Sequence, residues 1–139
     1  MIPAPVTMVP TMTRFPQWYP GQYELLSTVM DWLGTDDKFL GVEAPTGSGK
    51  SLVSMMAANL SGKRTVILTA TKGLQTQLNR DFSETFADIR GQNAYDCLEF
   101  GGRVDQAPCH DGGYSCPKRE RGCTYYDDLT TALESDIVV

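Results

Sequence analysis

The run Ala44-Pro45-Thr46-Gly47-Ser48-Gly49-Lys50-Ser51 constrains the fold of this chain more than any other feature. It fits the phosphate-loop pattern of a small residue, a spacer and then Gly-Lys-Ser or Gly-Lys-Thr, with Ala in the first place. The spacing has a physical purpose. Gly47 and Gly49 allow a backbone turn in which successive amide hydrogens point at phosphate oxygens, and a helix starting near Lys50 adds its positive end. Thr46, Gly47, Ser48 and Gly49 form the cradle, Lys50 is placed to reach the β and γ phosphates, and Ser51 to hold Mg²⁺. Lys50 and Ser51 are therefore the candidate catalytic residues, and ATP with Mg²⁺ the candidate ligand. The alternative is an incidental glycine-rich turn, which the flanking pattern disfavours.

That pattern reads as follows. Phe39 to Ala44 is a short apolar run bounded by turn residues and predicts a buried strand feeding the loop. Lys50 to Leu60 predicts a helix ending near Gly62. Thr65 to Thr69 is a β-branched strand, and Leu74, Leu78 and Phe82 mark a further helix at fourfold spacing. Strand, loop, helix, strand and helix in this order predict an α/β fold, a partial P-loop (RecA-like) parallel sheet with right-handed crossovers. Upstream, Tyr23, Leu26, Met30 and Leu33 predict a helix over 22–33 stopped by Gly34. Residues 1–20 hold Pro3, Pro5, Pro10, Pro16 and Pro20 and predict an extended lead-in.

Residues 21–86 thus form the first part of the nucleotide-binding domain. From 87 to 123 periodicity disappears, and all four cysteines fall in this stretch. An irregular segment of that length is functional or held by something else. Residues 124–139 return to the domain, with a helix over 124–134 capped by Thr124 and a strand starting at Asp136.

With 139 residues, 41% hydrophobic and 21% charged, the chain suits one soluble domain. No apolar run reaches the ~18 residues of a membrane helix, and the first ten residues lack a signal-peptide pattern, which points to the cytoplasm and away from membranes. In that reducing compartment Cys97, Cys109, Cys116 and Cys123 are metal ligands, redox groups or free thiols rather than a disulfide framework. The net charge of −5 gives no general attraction for nucleic acid, yet Lys50, Lys63, Arg64, Lys72 and Arg80 form a stretch without an acid. A second basic group is Lys118, Arg119 and Arg121.

These segments resemble superfamily 2 DNA helicases of the DinG/XPD-like, iron–sulfur group. Glu43 to Ser51 resembles motif I of that family. Tyr19-Pro20-Gly21-Gln22 is similar to its upstream glutamine motif, although the Arg usual near Tyr19 is missing; the resemblance implies that Gln22 contacts adenine. Thr69 to Leu78 resembles motif Ia, which implies contacts from Thr69, Thr71 and Lys72 to the backbone of single-stranded DNA. Such contacts grip a strand without reading bases. Arg90 to Cys97 opens like the family's cysteine insertion, and Ala132 to Val139 is similar to the segment before its acidic motif II.

The resemblance implies a 4Fe–4S cluster held by Cys97, Cys109, Cys116 and Cys123. Four thiolates serve zinc equally well. Eleven residues separate the first two cysteines and six each later pair, a departure from the family spacing that leaves cluster, zinc and unligated thiols open. His110 is a further possible ligand. Lys118, Arg119 and Arg121 lie where family members help separate strands, and Tyr114, Tyr125 and Tyr126 offer stacking faces or form a small core.

The chain is thus expected to be the ATP-binding amino-terminal portion of an ATP-dependent DNA helicase, partnered by single-stranded DNA and a second motor domain. No Asp-Glu pair follows an apolar strand within it, so weak ATP binding and no unwinding are expected of these residues alone. The alternative is a free-standing nucleotide- or metal-binding accessory module.

Overall fold

A computed structural model describes residues 3–120 and 122–139. Among the described residues, the main core forms around one buried helix. That helix, α3, spans Lys50–Ser61 and buries Leu52, Val53, Met55, Met56, Ala57 and Ala58, so it is apolar on nearly every side. Gly62, at φ +61°, ends it in the left-handed conformation that favours glycine. Packed against α3 is α2, Gln22–Leu33, which buries Leu26 and rests Leu25, Val29 and Met30 on the same core. A third wall is α4, Lys72–Phe82, through Leu78 and Phe82. Helices stand at all three places where the sequence predicts them.

Strand β1, Thr65–Val66, pairs in parallel with β2, Ile137–Val138, in the register Thr65 to Ile137 and Val66 to Val138. Ladder hydrogen bonds continue on the far side of β2. Ala87 N donates to Ile137 O, Val139 N to Ala87 O, and Ile89 N to Val139 O, each within 2.9–3.0 Å. Residues 87–89, assigned above to the irregular stretch, therefore lie on the sheet. Their two alternating apolar residues, Ala87 and Ile89, were too short a run to be seen as a strand.

Three expectations are corrected. Phe39 to Ala44 forms no strand: Phe39 is 91% exposed, and the segment has no ladder partner among the described residues. A strand exists through its pairing, which composition alone does not supply. Thr124 does not cap α5, Thr124–Glu134; the cap position belongs to Cys123, without a side-chain cap bond. The lead-in is not extended throughout. Pro5 starts the short helix α1, Pro5–Met8, as proline at a first helical position can. Val9 and Met12 then enter the main core, and Phe15 stacks on Phe82 with ring centroids 4.9 Å apart.

Met12 is 1% exposed, so Met12→Ala is expected to destabilise the fold by about 2–4 kcal/mol, as truncation of a buried methionine does. Urea denaturation measures this, and an unchanged midpoint would mean that the lead-in contributes nothing to the core.

A second, smaller cluster is separate from the first. Cys97, Val104, Ala107 and Cys109 are its buried members, with Tyr95, Cys116 and Tyr125 packed around them. Single 3₁₀ turns at Gln92–Ala94 and Val104–Gln106 and a bridge between Asp96 and Arg103 order this region. Helix α5 joins the two parts, with Tyr125 in the small cluster and Ala132 against Ala87 and Val138 of the sheet. Among the described residues, no helix is long and apolar enough to cross a membrane.

Candidate functional site

The loop before α3 has the conformation that its glycines predict. Gly47 and Gly49 sit at φ +82° and +79°, where an L side chain would be strained. Thr46, Gly47, Gly49, Lys50 and Ser51 line one cavity together with Tyr19 and Gln22. Arg14 and Phe15 of the lead-in close a second wall, and Leu74, Gln77, Asp81 and Phe82 of α4 a third. The two sequence segments expected to frame a nucleotide thus meet in space.

Lys50 Nζ donates to Ala44 O at 2.7 Å and Pro45 O at 2.8 Å, folding the ammonium back onto the loop's own carbonyls. Ser48 Oγ is buried without a hydrogen-bond partner. A Cβ on Gly47 would meet nothing within 4 Å, so space remains above the turn. A lysine that can swing outward and a helix N-terminus on one cavity fit a phosphate group. Ser51 lies beside them in the first turn of α3 and lines the same cavity.

Sequence reasoning missed the opposite wall. Arg14 Nη1 donates to Arg80 O and Asp81 Oδ1, both at 2.9 Å, tying the lead-in to the end of α4. Hydrogen bonding from Arg80, aided by its charge and that of Arg14, holds the Asp81 carboxyl below the usual range against a modest burial cost. An isolated Arg14 in a proline-rich segment gave no periodic signal by which to find this contact.

The basic stretch does not form one track. Lys63 and Arg64 precede β1 and donate to Leu33 O and Leu133 O, whereas Lys72 lies beyond the other end of the strand. Arg80 is paired with Asp81. Of the residues expected to touch a nucleic acid, Thr69, Thr71 and Lys72 do meet at the start of α4. Thr71 Oγ1 accepts from Leu74 N at 3.2 Å as the helix cap, and Thr69 Oγ1 donates to Thr71 O at 3.5 Å.

Behind that end of α4, buried Gln75 donates through Nε2 to Asp88 Oδ1, Ile89 O and Val139 O at 2.7–3.2 Å. Asp88 also accepts from Asn79 and Arg90. The network fixes α4 to the carboxyl ends of two strands. It was invisible in the sequence because its members lie on separate elements.

Cys97, Cys109, Cys116 and Cys123 line one cavity, are all free thiols, and include two buried members. Burial first, and the neighbouring Cys116 next, raise the Cys109 thiol above its ordinary pKa. As placed, no three His, Cys, Asp or Glu side chains among the described residues converge closely enough to hold a single ion. The thiols ring a cavity instead of meeting at a point. Their donor chemistry fits a thiolate-ligated group, and four thiolates do not separate zinc from an iron–sulfur cluster.

His110 does not line this cavity and bonds Asp111 Oδ1 at 3.0 Å instead. Lys118 Nζ, by contrast, reaches back to Leu98 O at 2.8 Å at the cavity edge. Arg119 lies 4.8 Å above the Tyr126 ring, a cation–π contact. Arg121 lies outside the described residues. Tyr125 packs edge-on to Tyr95 and Tyr126, while Tyr114 sits edge-on to the exposed Phe100. Burial pushes the Tyr95 phenol up to about 12, and its oxygen accepts from Arg90 N.

The family model described as DEAD/DEAH box helicase matches residues 19–107, more than half of the chain. The ATP-dependent DNA helicase YoaA of Haemophilus influenzae is 40% identical over 48% of this chain and 12% of its own length. A Staphylococcus epidermidis protein described as 3'-5' exonuclease DinG is 43% identical over 42% of this chain and 7% of its own. The chain therefore spans a small part of the curated relatives that it matches. No solved structure matches it.

Proposed function

The chain belongs to the DEAD/DEAH box helicase family, and from that membership we propose that it is the ATP-binding amino-terminal portion of a DinG-like DNA helicase. Such a motor translocates on single-stranded DNA and unwinds duplexes. The observation that carries this reading is the single cavity shared by the phosphate loop, the Tyr19–Gln22 segment and α4.

In this reading the loop amides of Thr46 to Gly49 hold the phosphates, Lys50 swings from its own loop carbonyls to the β and γ phosphates, and Ser51 holds Mg²⁺. The ion neutralises charge that develops on the phosphate oxygens. Thr69, Thr71 and Lys72 grip the backbone of a single strand at the amino-terminal end of α4, where amides and dipole favour an anion. With Thr71 committed to its cap, Lys72 supplies the charge. Lys118, Arg119 and Arg121 form a second contact surface on the cysteine region. Residues 1–20, 21–86, 87–123 and 124–139 are its lead-in, first motor part, cysteine insertion and return segment.

Cys97, Cys109, Cys116 and Cys123 are proposed as ligands of a 4Fe–4S cluster, with zinc as the alternative. Either group would tie together a region that has only a small apolar cluster of its own. The work of the motor requires an activating acid and a second motor domain in addition to these residues.

Calorimetric titration with MgATP tests the reading. One ATP per chain is expected, without robust DNA-stimulated hydrolysis. Absence of binding at millimolar ATP would remove the nucleotide site, and vigorous hydrolysis would remove the claim that the chain lacks an activating acid.

A further inference from the structure

The carboxylate of Asp88 collects hydrogen bonds from three side chains. Gln75 Nε2 donates to its Oδ1 at 2.7 Å, and Asn79 Nδ2 and Arg90 Nε donate to its Oδ2 at 3.0 and 3.3 Å. Gln75 and Asn79 stand four residues apart on α4 and so share one face of it. Gln75 is 8% exposed, and Arg90 reaches back to Thr76 Oγ1 of the same helix at 3.4 Å. An ionised acceptor makes the stronger kind of hydrogen bond, so Asp88 is the anchor of this clamp.

What the clamp holds is the start of α4. Gln75 lies one turn beyond Thr71, and its own N–H donates to Thr71 O at 3.2 Å. Thr71 Oγ1 takes the Leu74 N–H, which leaves the N–H groups of Lys72 and Gly73 without an intrahelical partner. We propose that Asp88 is a positioning residue for DNA: through Gln75 and Asn79 it fixes where the amino-terminal end of α4, and Lys72 with it, meets a phosphate of a single strand. This rests on the reading of that helix end as a DNA contact given above. The charge of Asp88 separates positioning from plain electrostatics. A carboxylate near a phosphate repels it, so neutralising Asp88 would by charge alone tighten binding. Positioning demands the opposite sign. Asn at this place keeps one oxygen but turns the other into an N–H donor that faces groups already donating, so at least one of the three bonds is broken.

The test titrates the full chain with a fluorescent oligothymidylate over a range of salt, for the wild type, Asp88→Asn, Gln75→Met and Lys72→Ala. MgATP affinity reports whether the motor core is intact. Asp88→Asn and Gln75→Met are each expected to bind the oligothymidylate about tenfold more weakly. Both should also make the salt dependence shallower by about 0.7, the share of one phosphate contact on a single strand. MgATP binding stays at the wild-type level, because α4 lines that cavity through Leu74, Gln77 and Asp81 on another face. Added to Lys72→Ala, Asp88→Asn should have no further effect, since the contact it positions is already gone. Equal or tighter binding by Asp88→Asn, weaker binding at an unchanged salt slope, or a full extra loss on top of Lys72→Ala would overturn the proposal. Loss of MgATP binding in both Asp88→Asn and Gln75→Met would overturn it too, by making the network a support of the whole fold. A wild type that binds no oligothymidylate sinks the DNA-contact reading and the proposal together, whereas a wild type that binds beside an equally tight Asp88→Asn sinks only the role of Asp88.

Discussion

Lys50→Ala is expected to lower the affinity for MgATP by roughly 100-fold, about 2.7 kcal/mol, while leaving thermal stability unchanged. The two halves of this expectation come from different facts. Lys50 is exposed, and its ammonium bonds only Ala44 O and Pro45 O, so truncation leaves two carbonyls that water can satisfy. Little folding energy is lost. The bound state differs, because two charge-assisted bonds to phosphate oxygens are then missing, each worth about 1.5–3 kcal/mol. Calorimetry and a thermal melt on the same sample check both halves. Unchanged affinity would mean that the phosphates do not lie at Lys50, and a large fall in melting temperature would mean that the lysine supports the loop instead.

The contrast between Lys50 and Gln75 shows what a sequence discloses. Everything needed to place Lys50 lies within eight consecutive residues, because the loop is a local backbone device followed by a helix. The helices were legible for the same reason: Leu26, Leu78 and Phe82 repeat with the helical period and end in the core. Gln75 is part of a network assembled from α4, residues 87–89 and the end of β2, which no local pattern joins. Phe39 to Ala44 failed in the opposite direction. Its composition suits a strand, but pairing is a property of two segments, and composition reports one. Met12 shows a third limit. Five prolines suggested an extended lead-in, yet proline only fixes φ and removes a donor, which permits the one turn of α1 and the return of the chain onto α3. The cysteines were legible as a set of donors, and what they hold was not, since ligand count is common to zinc and to iron–sulfur clusters.

Cys109→Ser is expected to remove the bound metal from protein purified without oxygen and to loosen residues 97–123, while MgATP binding remains at the wild-type level. Cys109 is a buried wall of the thiol cavity, so under the proposed ligation its loss takes away one of four thiolates and leaves a hydroxyl with little affinity for iron. Losing even a supporting partner of a metal ligand costs about 10–100-fold in affinity, and losing the ligand should cost more. The small cluster around Val104 and Ala107 offers little apolar area to compensate, so amide exchange there should accelerate. The phosphate loop is insulated because its supports, Leu52, Val53 and Leu26, belong to the other core. Metal analysis, absorption spectra and hydrogen exchange on one preparation read all three effects. Iron with sulfide and a brown colour, lost in the variant, would identify the cluster; a colourless protein with one zinc would assign the same thiols to zinc. Wild-type protein that carries neither metal would refute a ligand role for these thiols. Protection at Val104 and Ala107 would then have to come from the apolar cluster alone.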